Sequence, residues 1–233
     1  MRKVLLLVVL LMVQYNYAQE IAPPTDWRCE GLVGRVKKVT CTITGLNSAT
    51  ESVSTMVFNP QGYIVSEFIE DRKLGIQTVE VVSKSTLEYG EYRKNKRKIV
   101  IKSEEEQTID QEWELPNETT LKVKKSEDPP IEIIEKRVYN AAGFLEKRYS
   151  KVHVDTDDLL YKGLERENVI IYTYEKGGIN TEQKVVNTLD TTFFIYKEQK
   201  LLFDKQGNVT KKIVFEENGV PKEESQFVYE YYN

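Results

Sequence analysis

A seven-residue phrase recurs three times in this chain and constrains its fold more than any other feature. The phrase is an aromatic residue, Asn or Asp, two variable residues, Gly, one variable residue and an aliphatic residue, and it occupies 58–64, 139–145 and 203–209. Asn or Asp at the first position of a β-turn bonds the backbone ahead of it, and Gly accepts the positive φ that closes the turn. The opening and closing residues are, in order, Asn59 with Gly62, Asn140 with Gly143, and Asp204 with Gly207. Each copy therefore predicts a strand, a tight turn and a second strand.

Alternation of apolar and polar residues with a period of two dominates the rest of the sequence. We identify thirteen strand-like segments, from 36–43 to 226–232, rich in β-branched and aromatic residues. No amphipathic stretch of helical period is longer than about ten residues. Short strands joined by turns predict an all-β antiparallel meander of about a dozen strands, folded as a twisted open sheet or half-barrel. The pattern leaves open whether such a sheet closes into a barrel.

The first eighteen residues have the composition of a secretory signal peptide. Met1-Arg2-Lys3 is basic, the run 4–13 is apolar, and Ala18 offers a cleavage point. The apolar run is too short to span a bilayer. The residue directly after the cleavage point is Gln19 and the first Cys is Cys29, so a lipid anchor on a new N-terminal Cys is not expected. We predict a mature chain of residues 19–233, forming one all-β domain that is secreted or periplasmic.

The charge balance argues against some classes of partner. The full chain has 33 Lys and Arg against 37 Asp and Glu, a net charge of -4. Loss of Arg2 and Lys3 with the signal peptide would bring this to -6. An acidic chain is a poor candidate for binding nucleic acid or an anionic membrane surface.

Cys29 and Cys41 are the two cysteines of the chain. Oxidising conditions outside the cytoplasm favour a disulfide between them. Such a bridge would close a loop of about a dozen residues and contribute roughly 3 kcal/mol if unstrained. The alternative is two separate thiols that pack as small hydrophobic groups. Both interpretations remain open from the sequence.

The repeated phrase resembles the YD-type repeat, also called the Rhs repeat, of bacterial envelope and secreted proteins. Those repeats pair a Tyr-Asp turn with a Gly and an aliphatic residue two positions later, as in Tyr139-Asn140 and Phe203-Asp204 here. The segments 31–39 and 227–232 are similar to the ends of short exported proteins that carry such repeats. The resemblance covers residues 32–233 with three clear copies and weaker ones between them. It implies a β-sheet fold and an exported location, and no activity.

Common catalytic fingerprints are absent from the sequence. There is no Gly-x-Ser-x-Gly, phosphate loop, dinucleotide motif, Cys-x-x-Cys or His-Glu-x-x-His, and the single histidine is His153. On a strand His153, Asp155 and Asp157 would face the same side and could hold a divalent cation. The spacing lacks the Gly and closing Glu of a calcium loop, and a solvated turn explains it as well. We predict no metal, no cofactor and no catalytic residue.

Three charged or aromatic patterns remain to be interpreted. Paired carboxylates could serve a polysaccharide-active enzyme, but Glu80, Glu132 and Glu146 fit the solvent face of a sheet. The basic run 93–98 could bind an anionic polymer, or it could face the acidic run 104–106 as an edge guard. Phe227, Tyr229 and Tyr231 share one face of the last strand, where they could bind a partner or pack across strands.

The favoured function is an exported binding or structural protein that contacts a protein or glycan through its sheet surface. One alternative is an envelope enzyme acting on polysaccharide, and another is a carrier of an apolar ligand. A deep apolar cavity would favour the carrier, facing carboxylates would favour the enzyme, and a flat tyrosine-rich face would favour surface binding.

Overall fold

The computed structural model describes residues 23–75, 78–104, 106–115, 117–125, 131–141, 144–154, 165–175, 178–187 and 191–233. The predicted signal peptide, 1–18, lies outside this part of the chain. The described residues form one short helix, α1, and fourteen strands. Their bounds are α1 Asp26–Cys29, β1 Val36–Gly45, β2 Thr50–Phe58, β3 Ile64–Leu74, β4 Val79–Tyr89, β5 Lys96–Lys102, β6 Gln107–Leu115, β7 Glu118–Lys125, β8 Ile131–Tyr139, β9 Leu145–Val154, β10 Glu165–Glu175, β11 Gly178–Asn187, β12 Thr191–Phe203, β13 Val209–Glu216 and β14 Pro221–Tyr231.

The strands form an antiparallel meander, which confirms the predicted fold class. Each strand pairs with its neighbours in sequence, and β1 also pairs with β14, with Val39 opposite Tyr229 and Cys41 opposite Phe227. The first and last strands therefore join, and the sheet is a closed barrel rather than an open one. Closure satisfies the backbone groups that an edge strand would leave unpaired.

Strand β11 is the one strand that the sequence pattern misses. Its residues include Gly178, Asn180 and Glu182, which have low strand propensity. It nevertheless pairs along its length with both β10 and β12. Its conformation therefore comes from two neighbouring ladders rather than from its own sequence.

Alternate residues face the barrel interior and the solvent. On β1, Val39 and Cys41 are buried, whereas Lys38 and Thr40, the residues that alternate with them, are half-buried. The outer surface carries ion pairs between adjacent strands, such as Arg72 with Glu51 at 2.9 Å. Exposed apolar side chains such as Val82 and Val228 are interspersed among these charged groups.

The three repeated turns lie at the same end of the barrel. They join β2 to β3, β8 to β9 and β12 to β13. The predicted positive φ is found at Gly62 (φ 91°) and Gly207 (φ 95°), and Gly143 lies outside the described residues. The N-terminal residues 25–34, which include α1, fill this end of the barrel, and we call them the plug.

The apolar core is concentrated where the plug meets the barrel. Val36, Val39, Phe58 and Ile64 are buried there, and Trp27 of the plug packs against them. The rest of the described interior is more polar, with buried Arg97, Gln111 and Thr119 on β5, β6 and β7. Among the described residues we find no helix long and apolar enough to cross a membrane.

Candidate functional site: a plugged interior chamber

A buried ion pair anchors the plug to the barrel wall. Arg97 Nη1 and Nη2 donate to the two carboxylate oxygens of Asp26 at 2.8 and 3.0 Å. The side chains of Arg97 and Asp26 are only 3% and 8% exposed. The backbone N–H of Ile64 also donates to Asp26 Oδ2 at 2.7 Å. Two parallel bonds in a dry environment fix both the position and the orientation of α1.

The guanidinium of Arg97 is satisfied on its remaining sides. Its Nε donates to Gln111 Oε1 at 2.6 Å. Its Cζ lies 4.8 Å from the ring centroid of Tyr89 and 4.5 Å from that of Tyr92. Contacts of a cation with aromatic faces offset part of the loss of water around it. Arg97 is therefore a structural residue that holds the plug against the barrel wall, and not a free surface charge.

The first repeated turn contacts the plug at Trp27. Asn59 Oδ1 accepts hydrogen bonds from the backbone N–H of Gln61 and Tyr63 at 3.1 and 3.0 Å, as the repeat predicts. The backbone N–H of Trp27 donates to the carbonyl of Gly62 at 3.1 Å. A Cβ on Gly62 would lie 2.5 Å from the Trp27 indole. Glycine is required here by close approach of the plug as well as by its φ.

The other two repeated turns also hold the plug. Arg28 Nη2 donates to the carbonyl of Ala141 at 2.7 Å. At the third turn, Asn208 accepts from the backbone N–H of Val33 at 2.7 Å and donates to the carbonyl of Val33 at 2.8 Å. Asn208 is 2% exposed, so these bonds are shielded from water. The three copies of the repeat thus form a ring of contacts around one N-terminal segment.

A chamber with a volume of 420 Å³ lies inside the barrel beneath the plug. Its lining combines the inner end of the plug with side chains from eight strands that surround it. The residues that line it are Cys29, Glu30, Gly31, Leu32, Val39, Met56, Arg137, Tyr139, Phe144, Leu145, Arg148, Tyr172, Glu198, Lys200, Asn208, Val209, Lys212, Phe227 and Tyr229.

Four cations face this chamber, one from each of β8, β9, β12 and β13. They are Arg137, Arg148, Lys200 and Lys212. Arg137 Nε is bonded to Glu135 at 2.6 Å, and Lys212 Nζ to Glu198 at 2.7 Å.

The other two cations are less fully paired. Arg148 Nε lies 3.6 Å from Glu135 and is buried without a hydrogen-bond partner in the described structure. Within that same part of the chain, we find no carboxylate within ion-pair distance of Lys200.

The enclosure changes the protonation of two groups that meet in the chamber. Glu30 has solvent-accessible surface, but the barrel surrounds it, and this desolvation raises its pKa although Arg137 opposes the shift. Desolvation alone would lower the pKa of Arg137, but the carboxylate of Glu135 outweighs it and the pKa is raised. Arg137 therefore stays charged, and Glu30 holds its proton more tightly than an ordinary glutamate does.

The aromatic face predicted on the last strand turns inward. Phe227 and Tyr229 stack with centroids 6.4 Å apart and line the chamber. The hydroxyl of Tyr229 donates to the carbonyl of Val209 at 2.6 Å. Tyr231 instead belongs to the third turn, where its hydroxyl donates to Asp204 and accepts from Asn208. Two of the three candidate binding residues thus meet inside the barrel, and the third has a structural role.

Cys29 and Cys41 are separate thiols in the structure, which agrees with the packing alternative and not with the disulfide. Burial raises the pKa of Cys29 to about 12 and that of Cys41 to about 11.

The basic run 93–98 does not form one surface. Arg97 is buried beneath the plug, whereas Lys96 is exposed and pairs with Glu112 at 3.0 Å. Glu104 and Glu106 follow β5 at the end of the barrel opposite Arg93 and Lys94, so the suggested facing of the two runs is wrong.

The proposed cation site at His153 falls largely outside the described residues. Asp155 and Asp157 are not described, and for His153 only the strand position is. Within the described part of the chain, no group of three or more His, Cys, Asp and Glu side chains could hold a metal ion. Glu80 and Glu146 are exposed and Glu132 is half-buried.

The sequence reasoning missed the plug and the cations of the chamber. Pro23-Pro24-Thr25-Asp26 carries a usable signal, because Thr is a common N-cap and here accepts from the backbone N–H of Arg28 at 3.4 Å. The cations had no such signal. Arg137, Arg148 and Lys212 each directly follow another basic residue, so the sequence does not show which of the two faces the interior, and only barrel closure places them inside.

Comparison with known proteins gives a likeness of fold. No family model and no curated protein sequence matches this chain. A crystal structure described as a porin-like protein from Bacteroides uniformis superposes with a TM-score of 0.52 and 12% identity, over 85% of this chain and 99% of that one. A second porin-like protein, from Bacteroides vulgatus, gives a TM-score of 0.47 and 10% identity over 84% and 98%. The first shares the overall barrel fold with this chain.

Proposed function

We propose that this chain is an exported binding protein that holds a small polar ligand in the chamber beneath its plug. The observation that carries the proposal is the chamber itself, which is surrounded by strands of the barrel and lined by both aromatic and charged side chains. Binding pockets for small molecules combine an enclosed surface with a few placed polar groups in this way. Export and kinship with YD-repeat proteins are parts of the same proposal.

The geometry favours interior binding over contact through the outer sheet surface. Phe227 and Tyr229, which were the best candidates for an external binding face, lie inside. The outer surface instead presents ion pairs such as Lys102 with Glu88 at 2.7 Å. A ligand that enters the chamber meets the aromatic rings, whereas a partner on the outside does not.

The lining also favours a polar ligand over an apolar one. A purely apolar ligand would strip water from Arg148, Lys200 and Glu30 without replacing its hydrogen bonds. Burying charged groups in that way is costly. The carrier alternative is therefore retained only for ligands with polar groups.

We further propose that the protein is a binder and not a hydrolase. Glu198 is tied to Lys212 and Glu135 to Arg137, so neither carboxylate is free to act as a base. Glu30 remains as a candidate general acid because its pKa is raised. Incubation with a polysaccharide panel, read as release of reducing ends, decides this point, and turnover lost in Glu30→Gln would establish the enzyme alternative.

The description of the Bacteroides proteins as porin-like raises conduction as another role. In this chain the plug fills one end of the barrel and is held by a buried ion pair and three turns. Passage of a solute would require those contacts to break. We therefore place binding ahead of conduction.

Binding inside the barrel can be tested by blocking the chamber. Lys200→Trp adds an indole to the chamber lining, and Gln199→Trp adds the same group to the exposed neighbour on β12. We expect calorimetric titration with a panel of neutral sugars, acidic sugars and a neutral apolar dye to detect binding that only Lys200→Trp removes. Equal loss in both variants, or no binding to the panel, would contradict the proposal.

A further inference from the structure

We propose that the ligand of the chamber is a small organic anion that carries a ring, such as an acidic sugar. This inference rests on the proposed function and names its ligand class. The relevant chemistry is shared by carboxylates and phosphates, both of which accept hydrogen bonds from Arg and Lys.

The charges that face the chamber do not cancel. Four cations line it, Arg137, Arg148, Lys200 and Lys212, and two carboxylates line it, Glu30 and Glu198. Glu135, bonded to Arg137 beside the chamber, still leaves the cations in excess. The full chain has a net charge of -4, so a positive interior is the reverse of what its composition would produce on average.

Two of the cations are available to a ligand. Arg148 Nε is a buried donor without a hydrogen-bond acceptor in the described structure, with Glu135 at 3.6 Å as its nearest ionic contact. A buried donor without an acceptor is destabilising, and an incoming anion would supply the missing acceptor. Lys200 lines the same space, and none of the described carboxylates is within ion-pair distance of it.

The aromatic lining selects for a ring beside the anionic group. Phe227 and Tyr229 stack on one wall, with Lys212 Nζ 5.7 Å from the Phe227 centroid. Tyr139 and Tyr172 line the chamber on the β8 and β10 side. Sugar rings and aromatic rings both pack against such surfaces. The volume of 420 Å³ matches a ligand of one or two rings.

The test compares probes that share a pyranose ring and differ in the group at C6, which is anionic in two of them and neutral in the third. Calorimetric titrations use glucuronate, glucose 6-phosphate and glucose with the mature protein, residues 19–233. We expect both anions to bind at least tenfold more tightly than glucose, and the tighter of the two shows whether carboxylate or phosphate is preferred. Raising the salt concentration should weaken the binding of the two anions and leave the binding of glucose unchanged.

Variants locate the interaction on the two available cations. Arg148→Gln and Lys200→Gln should each lower the affinity for the more tightly bound anion at least tenfold. Arg148→Lys should recover part of the affinity that Arg148→Gln loses. The controls Lys147→Gln and Lys197→Gln change the outward-facing neighbours on the same strands and should leave affinity within twofold. Melting temperatures of all variants separate lost binding from lost folding.

The outcomes separate this inference from the proposed function. Equal binding of glucose and the anions in the chamber would overturn the anion inference and leave the proposed binding of a polar ligand intact. Binding of only the neutral apolar dye N-phenyl-1-naphthylamine would overturn both and favour the carrier of an apolar ligand. Anion binding that is unchanged in Arg148→Gln and Lys200→Gln would also overturn the anion inference. Absence of binding by every probe would contradict both.

Discussion

At the scale of single residues, two glycines that look identical in sequence have different reasons to be glycine. Both Gly62 and Gly207 close an Asx-type turn with positive φ, at 91° and 95°. A Cβ on Gly207 would meet nothing within 4 Å, whereas one on Gly62 would meet Trp27 at 2.5 Å. The repeat explains the φ of both, and only the plug explains the close contact at Gly62.

Alanine substitutions at the two positions should therefore have unequal costs. Gly207→Ala should destabilise the fold by about 1–2 kcal/mol, the usual cost of a left-handed conformation for a residue with a Cβ. Gly62→Ala should cost at least about 1 kcal/mol more, because the indole must also move. Urea unfolding measures both values. In a Trp27→Ala background the difference should shrink, and a difference that persists there would show that Trp27 is not its cause.

Glu30 provides a prediction about pH. Its folded pKa is raised by desolvation, so the folded protein binds this proton more tightly than the unfolded chain does. Wild-type stability should then fall relative to Glu30→Gln as the pH rises above the unfolded pKa of about 4.3. We expect equal melting temperatures near pH 4 and a higher one for Glu30→Gln at pH 7. A lower melting temperature for the variant at pH 7 would contradict the raised pKa of this carboxylate.

At the scale of elements, the plug depends on an ion pair that is unlike those on the outer surface. Asp26 and Arg97 are almost fully buried, and each has further hydrogen bonds. Glu51 and Arg72, on the outside, are 21% and 33% exposed. Removing one partner of a buried pair leaves the other charge buried without water or a counter-ion, which is destabilising. An exposed charge that loses its partner is hydrated instead.

Asp26→Ala should destabilise the protein by about 3–5 kcal/mol, because Arg97 is left buried and unpaired. The matched change Glu51→Ala on the outer pair should cost no more than about 1 kcal/mol. Chemical denaturation followed by tyrosine and tryptophan fluorescence measures both. Similar losses for the two variants would mean that the plug is not seated as described.

The elements differ in how well the sequence predicts them. The turns were predictable because Asn59, Gly62, Asp204 and Gly207 act on the backbone within four residues. β11 was not, because neighbouring ladders impose its conformation on a sequence of low strand propensity. The plug was also missed, since its anchor joins Asp26 to Arg97 across 71 positions of sequence.

At the scale of the whole molecule, barrel closure creates the site. The period-two pattern of β8, β9, β12 and β13 places Arg137, Arg148, Lys200 and Lys212 on one face of each strand, but it does not show which face is enclosed. Pairing of β1 with β14 turns that face inward and gathers residues from distant strands around one space. The all-β meander could therefore be predicted from sequence, whereas the chamber could not.

The central claim is that this chamber receives an anionic ligand beneath the plug, and a crystal structure of the mature protein with glucuronate tests it most directly. We predict density for the ligand inside the barrel, with its carboxylate within hydrogen-bonding distance of Arg148 or Lys200 and its ring against Phe227 and Tyr229. The plug should remain in place, with Asp26 bonded to Arg97. Ligand bound only on the outer surface, or a chamber filled by protein side chains, would contradict the account.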